Sequence, residues 1–196
     1  MYDPTRAQHM TSTTRLTPSG DIVEVDLTWD RVFSDFLLGY GIYSALGSSG
    51  TLTQDDFLRD PLAQFYADTD SSLAENATYS FALTSVNTDR AEGNMSSRVV
   101  VNTLGPITAL SPQMNPLRFR WNPVLNADGY VVFVFDRYPG VGVDSIWNNA
   151  GSPATGSSVQ YGGPALNSGQ TYYFIVLGLA NSNTSRTISP VMSFTA

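Results

Sequence analysis

The chain has 196 residues, 42% of them hydrophobic, and a formal net charge of −7. It has no cysteine and a single histidine, which excludes disulfides, thiolate metal sites and any mechanism built on a Cys–His pair. The acidic balance disfavours a ligand with a phosphate backbone, so we expect no nucleic-acid partner.

The first ten residues, MYDPTRAQHM, are polar and contain neither a signal-peptide apolar run nor a membrane span. We predict that 1–10 is a disordered tail or a remnant added for expression. The one histidine, His9, falls in this segment. Its position favours a solvated tail residue over a catalytic or metal-binding one.

The residues that follow predict β-strands. DIVEVDLTW, from Asp21 to Trp29, alternates apolar and polar residues, which is the pattern of a half-buried strand. A second strand, GYGIYSA, begins at Gly39, and two more, TYSFALTSVN and SRVVVNT, come later in the chain. These strands predict a first domain over 11–103.

A long connection, LGSSGTLTQDDFLRDP, lies inside this domain at 46–61. Thr53, followed by acidic residues, predicts one short helical turn that ends before Pro61, and the length of the segment makes it a candidate recognition loop. Acidic residues crowd this region, at Asp55, Asp56, Asp60, Asp68 and Asp70. Such carboxylates could hold Ca²⁺, but the central glycine and terminal glutamate of an EF-hand are missing, which favours a solvated acidic loop.

A second domain is predicted at 104–196, after a short linker that contains Gly105 and Pro106. Its strands are PLRFRW, GYVVFVFD, TYYFIVLGLAN and a last strand, TISPVMSFTA. Pro190 removes a hydrogen-bond donor from that last strand, which is typical of a sheet edge.

The two domains repeat one set of residues with a period near 92 positions. In each copy a tryptophan ends a strand, a Gly-Tyr pair opens the next strand, and a leucine precedes a second tyrosine by six residues. The repeated residues are Trp29 and Trp121, Gly39-Tyr40 and Gly129-Tyr130, and the frames LAENATY and LNSGQTY that end on Tyr79 and Tyr172. Self-similarity at this period predicts that the chain contains two copies of one domain.

These residues resemble the fibronectin type III repeat, and the resemblance covers roughly 11–196. It implies an all-β protein made of two tandem fibronectin type III-like (immunoglobulin-like) β-sandwiches. It also implies that Tyr79 and Tyr172 form tyrosine corners, in which the ring is buried and the hydroxyl bonds to backbone upstream.

The second domain departs from the alternation expected of sandwich strands. If Tyr130 and Tyr172 face the core, the opposite faces of their strands are apolar as well. These outward residues are Val131, Phe133, Phe135, Tyr173, Ile175, Leu177 and Leu179. The two strands are neighbours in the fold that the resemblance implies, so the residues form one candidate interface for a protein partner or a second copy. Alternatively, the chain's own segment 137–156, with Ile146 and Trp147, folds across it.

No GxSxG, HExxH, P-loop or dinucleotide-binding motif occurs, so no catalytic, metal-binding or cofactor-binding residue is assigned. The resemblance implies a non-enzymatic structural or adhesive module of a cell-surface or secreted protein, which makes protein contacts or acts as a spacer outside the cell or in the cell envelope. The alternative is a carbohydrate-associated accessory module of an extracellular enzyme. Its sugar-stacking candidates are Tyr138, Trp147 and Tyr161.

Overall fold

A computed structural model describes residues 10–16, 23–181 and 184–196, and these residues form strands, turns and loops with no helix among them. In this part of the chain, therefore, no helix is long and apolar enough to cross a membrane. The predicted tail, 1–10, lies outside the described residues except for Met10, where the strand β1 (Met10–Leu16) begins. The rest forms two compact units, Val23–Thr103 and Leu104–Ala196.

The first unit is a β-sandwich. Its strands are β2 (Val23–Trp29), β3 (Leu37–Leu46), β4 (Thr53–Leu58), β5 (Phe65–Asp68), β6 (Thr78–Asn87) and β7 (Val99–Asn102). β2 pairs with β5, and the opposing sheet has the order β4-β3-β6-β7 with every pair antiparallel. The core lies between the two layers, where Val25 and Leu27 meet Tyr40, Phe81 and Leu83. Alternation along β2 produces this burial, because every second side chain of a strand points to the same face.

The helical turn predicted at Thr53 is wrong. The segment forms β4, which pairs with β3 from Tyr40↔Leu58 to Ser44↔Thr53, and a bulge leaves Asp55 as the extra residue. A single helical turn orders several residues for very few hydrogen bonds. Pairing with β3 instead satisfies backbone groups along the whole segment, so the sheet edge outweighs the local capping signal.

The second unit repeats this architecture. Its strands are β8 (Ser111–Gln113), β9 (Arg118–Arg120), β10 (Gly129–Phe135), β11 (Trp147–Asn148), β12 (Ser158–Gln160), β13 (Thr171–Ala180), β14 (Ser185–Ile188) and β15 (Met192–Thr195). One sheet has the order β12-β9-β8, and the other runs β11-β10-β13-β14, with β15 also on β13. Phe119 of β9 packs 4.7 Å from Phe174 of β13, measured between ring centroids, at the centre of the core.

The predicted last strand is divided in two. β14 pairs with the second half of β13, β15 pairs with the first half, and Ser189-Pro190 lies between them. Ser189 maintains the ladder here: its N–H donates to the carbonyl of Val176 at 2.9 Å, and its hydroxyl accepts the N–H of Val176 at 2.9 Å. Ser96 makes the same pair of bonds with Leu83 in the first unit, at 2.9 and 3.0 Å. The hydroxyl thus replaces a backbone acceptor at the same point of both sandwiches.

The repeated tryptophans and tyrosines occupy equivalent positions in the two cores. Trp29 packs on Tyr40 with ring centroids 5.3 Å apart, and Trp121 packs on Tyr130 at 5.1 Å. Each of these tyrosine hydroxyls accepts a backbone N–H from the loop before its strand, at 3.0 and 2.7 Å. The sequence repeat is therefore a structural repeat.

Both predicted tyrosine corners are present. The hydroxyl of Tyr79 accepts the N–H of Ala74 at 2.8 Å, and that of Tyr172 accepts the N–H of Asn167 at 3.0 Å. Each ring lies in the core of its unit, so the tyrosine ties the loop that precedes it to the sandwich.

Candidate functional site

The most distinctive surface of the second unit is the outer face of the sheet that contains β10 and β13. These strands pair from Gly129↔Leu179 to Phe135↔Tyr173, which sets Val131 opposite Leu177 and Phe133 opposite Ile175. We call the seven predicted outward residues the apolar face: Val131, Phe133, Phe135, Tyr173, Ile175, Leu177 and Leu179. The buried core cluster contains Tyr130, Tyr172 and the other inward residues of both strands, and none of these seven. The seven residues therefore lie outside the core cluster of this unit.

The apolar face is only partly open to solvent. Val131, Phe135 and Leu179 are only 3, 6 and 7% exposed, whereas the other four residues are half-buried. Ile188 of β14 lies opposite Leu177 and continues the face toward the next strand. Its open part is therefore central, around Phe133, Ile175 and Leu177.

A shallow depression of about 440 Å³ lies over this open part. Five apolar side chains from three neighbouring strands line it: Phe133, Phe135, Ile175, Leu177 and Ile188. Its rim is Val143, Asp144 and Ser145, and Asp144 is the one ionisable residue of the lining. A surface of this composition can contact another apolar surface, but it offers little to a charged ligand.

The segment 137–156 covers the edge of the apolar face and leaves its centre open. Ile146 and Trp147 pack against the core cluster, and the N–H of Ile146 donates to the carbonyl of Val134 at 2.8 Å. Residues 143–145 reach the rim of the depression. Tyr138 is 65% exposed and packs edge-on against Tyr173 at 5.5 Å, so it extends the apolar face outward.

The three sugar-stacking candidates lie in different surroundings. Trp147 and Tyr161 contact each other in a T-shaped arrangement at 5.0 Å, and both pack against the core. The hydroxyl of Tyr161 donates to the carbonyl of Pro164 at 2.9 Å, and burial raises the pKa of this phenol. Tyr138 packs on Tyr173 instead. The structure thus joins two of the three candidates, as a pair that closes the edge of the sandwich.

The equivalent outer face of the first unit has small and polar side chains, and they are well covered. Ala45, Ser80 and Ala82 are buried there. Arg98 contributes to this cover, because its guanidinium donates to the carbonyl of Gly50 at 2.7 Å and to the hydroxyl of Ser80 at 3.4 Å.

Sequence reasoning did not single out three charged residues on that same outer face, Arg59, Arg90 and Glu92. They line a second depression, of about 410 Å³. The available signal was the spacing of Gly39 and Gly41, which leaves the outer side of β3 without side chains at these two positions. The charged residues themselves carry no local motif that could have identified them.

The acidic region of the first unit uses its carboxylates as turn acceptors. Asp60 accepts the N–H of Leu62 at 2.8 Å, and Asp70 accepts the N–H of Ser72 at 2.7 Å. In the described part of the chain, no group of three or more potential metal ligands is placed to hold an ion. Burial, with the negative charges of Asp68 and nearby aspartates, raises the pKa of Tyr66 to about 12.

No protein-family model matches the chain, and no curated protein matches it in sequence. Among solved structures, the FN1–FN3 domains of chicken CNTN1 are similar at 12% identity and a TM-score of 0.49, covering 95% of this chain and 66% of that one. An Fn3-like protein from Clostridium thermocellum is similar at 18% identity and a TM-score of 0.35, covering 48% of this chain and 92% of that one. The third fibronectin III domain of human KIAA0343 is similar at 19% identity and a TM-score of 0.36, covering 47% and 78%.

The fold assignment rests on the chain's own strand order and hydrogen bonds. Each unit has two antiparallel layers around one core, a tryptophan–tyrosine pair and a tyrosine corner. The protein is therefore all-β, with two tandem sandwiches of the fibronectin type III-like kind.

Proposed function

We propose that this chain is a non-enzymatic structural or adhesive module, and that it contacts protein through the apolar face of its second unit. The observation that carries the proposal is the open centre of that face, where Phe133, Ile175 and Leu177 are half-buried on the outside of a sandwich. Strands with one solvated face normally alternate apolar with polar residues, and these strands do not.

Covering the open centre is favourable because it removes apolar area from water. Each 100 Å² covered contributes roughly 2.5 kcal/mol before the entropic cost of association is subtracted. A second copy of the chain is the partner that this chemistry favours. The depression has one ionisable residue in its lining, Asp144 at the rim, so two copies can meet without apposing charges at the centre.

A module that acts through such contacts belongs, in this proposal, to a cell-surface or secreted protein. The fibronectin type III-like fold supports this, since modules of this kind serve as spacers and interaction domains, although fold by itself does not imply function. Fractionating the source cells with an antibody against the chain tests the location. Recovery in the cytosol alone would contradict it.

The contact is tested by Phe133→Ser and Leu177→Ser, with Val100→Ser as a matched control. Val100 is an exposed apolar residue of β7 in the other unit, so its change removes an apolar side chain away from the apolar face. We expect the first two variants to weaken self-association in sedimentation velocity, and the control to associate like the wild type. Melting temperatures should fall by only a few degrees, because the two residues are half-buried.

Two results would reject the proposal. If both variants are unfolded, the apolar face is internal core and no partner is needed. If both associate and melt as the wild type does, the open centre is not a contact surface. Glycan-array binding that is lost in Trp147→Ala would favour the carbohydrate-associated alternative instead.

A further inference from the structure

We propose that the first unit binds carboxylate groups of acidic protein segments in the depression on its outer sheet face. The depression combines an apolar floor with two guanidinium groups and one fixed carboxylate. Leu38, Phe57 and Val86 form the apolar part. The site does not depend on the proposed contact of the second unit, because it lies on the other sandwich and uses different chemistry.

The chain builds this depression with two glycines. Tyr40 between them is fully buried in the core, so Gly39 and Gly41 face outward. A Cβ at Gly39 would lie 1.9 Å from the carbonyl oxygen of Leu58, and one at Gly41 would lie 2.8 Å from the hydroxyl of Thr84. A side chain therefore does not fit at either position, and side chains from the neighbouring strands line the space beside these glycines.

Two arginines reach this space from distant parts of the chain. Arg59 directly follows β4, and Arg90 lies in the turn after β6 with φ of 63°, held by its N–H bond to the carbonyl of Asn87 at 2.9 Å. Within the described residues neither guanidinium has an ion-pair partner. A planar guanidinium matches a carboxylate through two parallel hydrogen bonds, so each arginine has donors available for an acidic ligand.

The two arginines of this depression belong to a unit that has few basic residues. The segment 11–103 has 13 acidic and only 5 basic residues, and two of those five line this depression.

Glu92 restricts the charge of the ligand. Its Oε2 accepts the hydroxyl of Tyr43 at 2.7 Å and the hydroxyl of Thr84 at 3.4 Å, which holds the carboxylate on the sheet. With Arg59 and Arg90, the depression has a formal charge of +1. This balance suits one carboxylate with an apolar neighbour that covers Phe57, and it disfavours a phosphate dianion.

The test is a titration of the full ¹⁵N-labelled chain with acetyl-Leu-Asp-Leu-amide, followed by amide chemical shifts. The uncharged peptide acetyl-Leu-Asn-Leu-amide is the matched ligand control. We expect shifts at Gly41, Thr84 and Val86 with the acidic peptide and much smaller shifts with the uncharged one. Arg59→Gln and Arg90→Gln should each weaken binding about three- to tenfold. Arg120→Gln, on β9 of the other unit, should leave it unchanged.

Four outcomes would overturn the proposal. They are equal shifts with both peptides, shifts confined to residues outside the depression, binding unaffected by either arginine variant, and tighter binding of inorganic phosphate than of the acidic peptide. If an arginine variant has a changed melting temperature, its affinity is fitted with the chemical shifts that the same variant shows at saturation. Loss of fold is then not counted as loss of affinity.

Discussion

Ser189→Ala should destabilise the second unit by about 2 kcal/mol, because it removes an acceptor from a fully buried backbone donor. The N–H of Val176 bonds to the Ser189 hydroxyl at 2.9 Å, and both residues are at most 1% exposed. Leaving a buried donor without an acceptor costs about 1–3 kcal/mol. The hydroxyl's second bond, to the carbonyl of Pro190, adds little, because Pro190 is exposed and water can replace it.

The measurement is scanning calorimetry on the full chain. For a unit of this size, about 2 kcal/mol corresponds to a lower melting temperature by roughly 8–16 °C. Ser193→Ala is the matched control, since Ser193 is an exposed serine on β15 a few residues away. It should melt within about 2 °C of the wild type, as surface substitutions away from special contacts usually do.

The repeat provides an independent copy of this experiment. Ser96→Ala removes the equivalent acceptor from the N–H of Leu83, which is also fully buried. Each variant should affect its own unit, with exposed Ser97 as the control in the first. If both alanine variants remain within about 0.5 kcal/mol of the wild type, the hydroxyl does not maintain the ladder and the reasoning is refuted.

Three further predictions concern the tyrosine corners and the acidic region. Tyr79→Phe and Tyr172→Phe should each lower the unfolding free energy by about 1 kcal/mol in chemical denaturation, with Tyr138→Phe as the exposed control; no loss would mean that the corner hydroxyls are dispensable. Burial raises the pKa of Asp68 in the folded protein. The protonated carboxyl therefore favours the folded state, and this contribution to stability is lost as the pH rises through the folded pKa of Asp68. Asp68→Asn should therefore raise the melting temperature at pH 7, and the gain should vanish below about pH 4; equal gains at both pH values would contradict this. An absorbance titration should find one phenol with a pKa of about 12 that is missing in Tyr66→Phe.

The repeat in the sequence predicted two copies of one domain, and the fold was predicted from the resemblance that the repeated residues carry. Tryptophans and tyrosines recur at matching intervals, and a sandwich core needs large side chains at the same points of each copy. The alternation of Val25 and Leu27 with polar residues also predicted which side of β2 is buried. These features are visible in the sequence because strand geometry repeats every two residues.

The strand at Thr53 could not be predicted in this way. Its first four residues are polar and exposed, and what makes them a strand is pairing with β3. The division of the last strand at Pro190 was visible only as a missing donor. The Ser189 hydroxyl can accept the N–H of Val176 only because the sheet places the two residues opposite each other.

The same contrast holds for the candidate sites. Period-two alternation by itself determined that Phe133, Ile175 and Leu177 lie on one side of the sheet, because the backbone alone sets the side of a strand on which a residue lies. That this side faces away from the core followed from the resemblance, which implies that the tyrosines on the other side are buried. Tertiary structure decided how much of each face stays open, since the cover comes from side chains and loops far away in the chain. It also decided that Arg59 and Arg90, 31 positions apart, line one depression, because antiparallel pairing brings together residues that no local pattern connects.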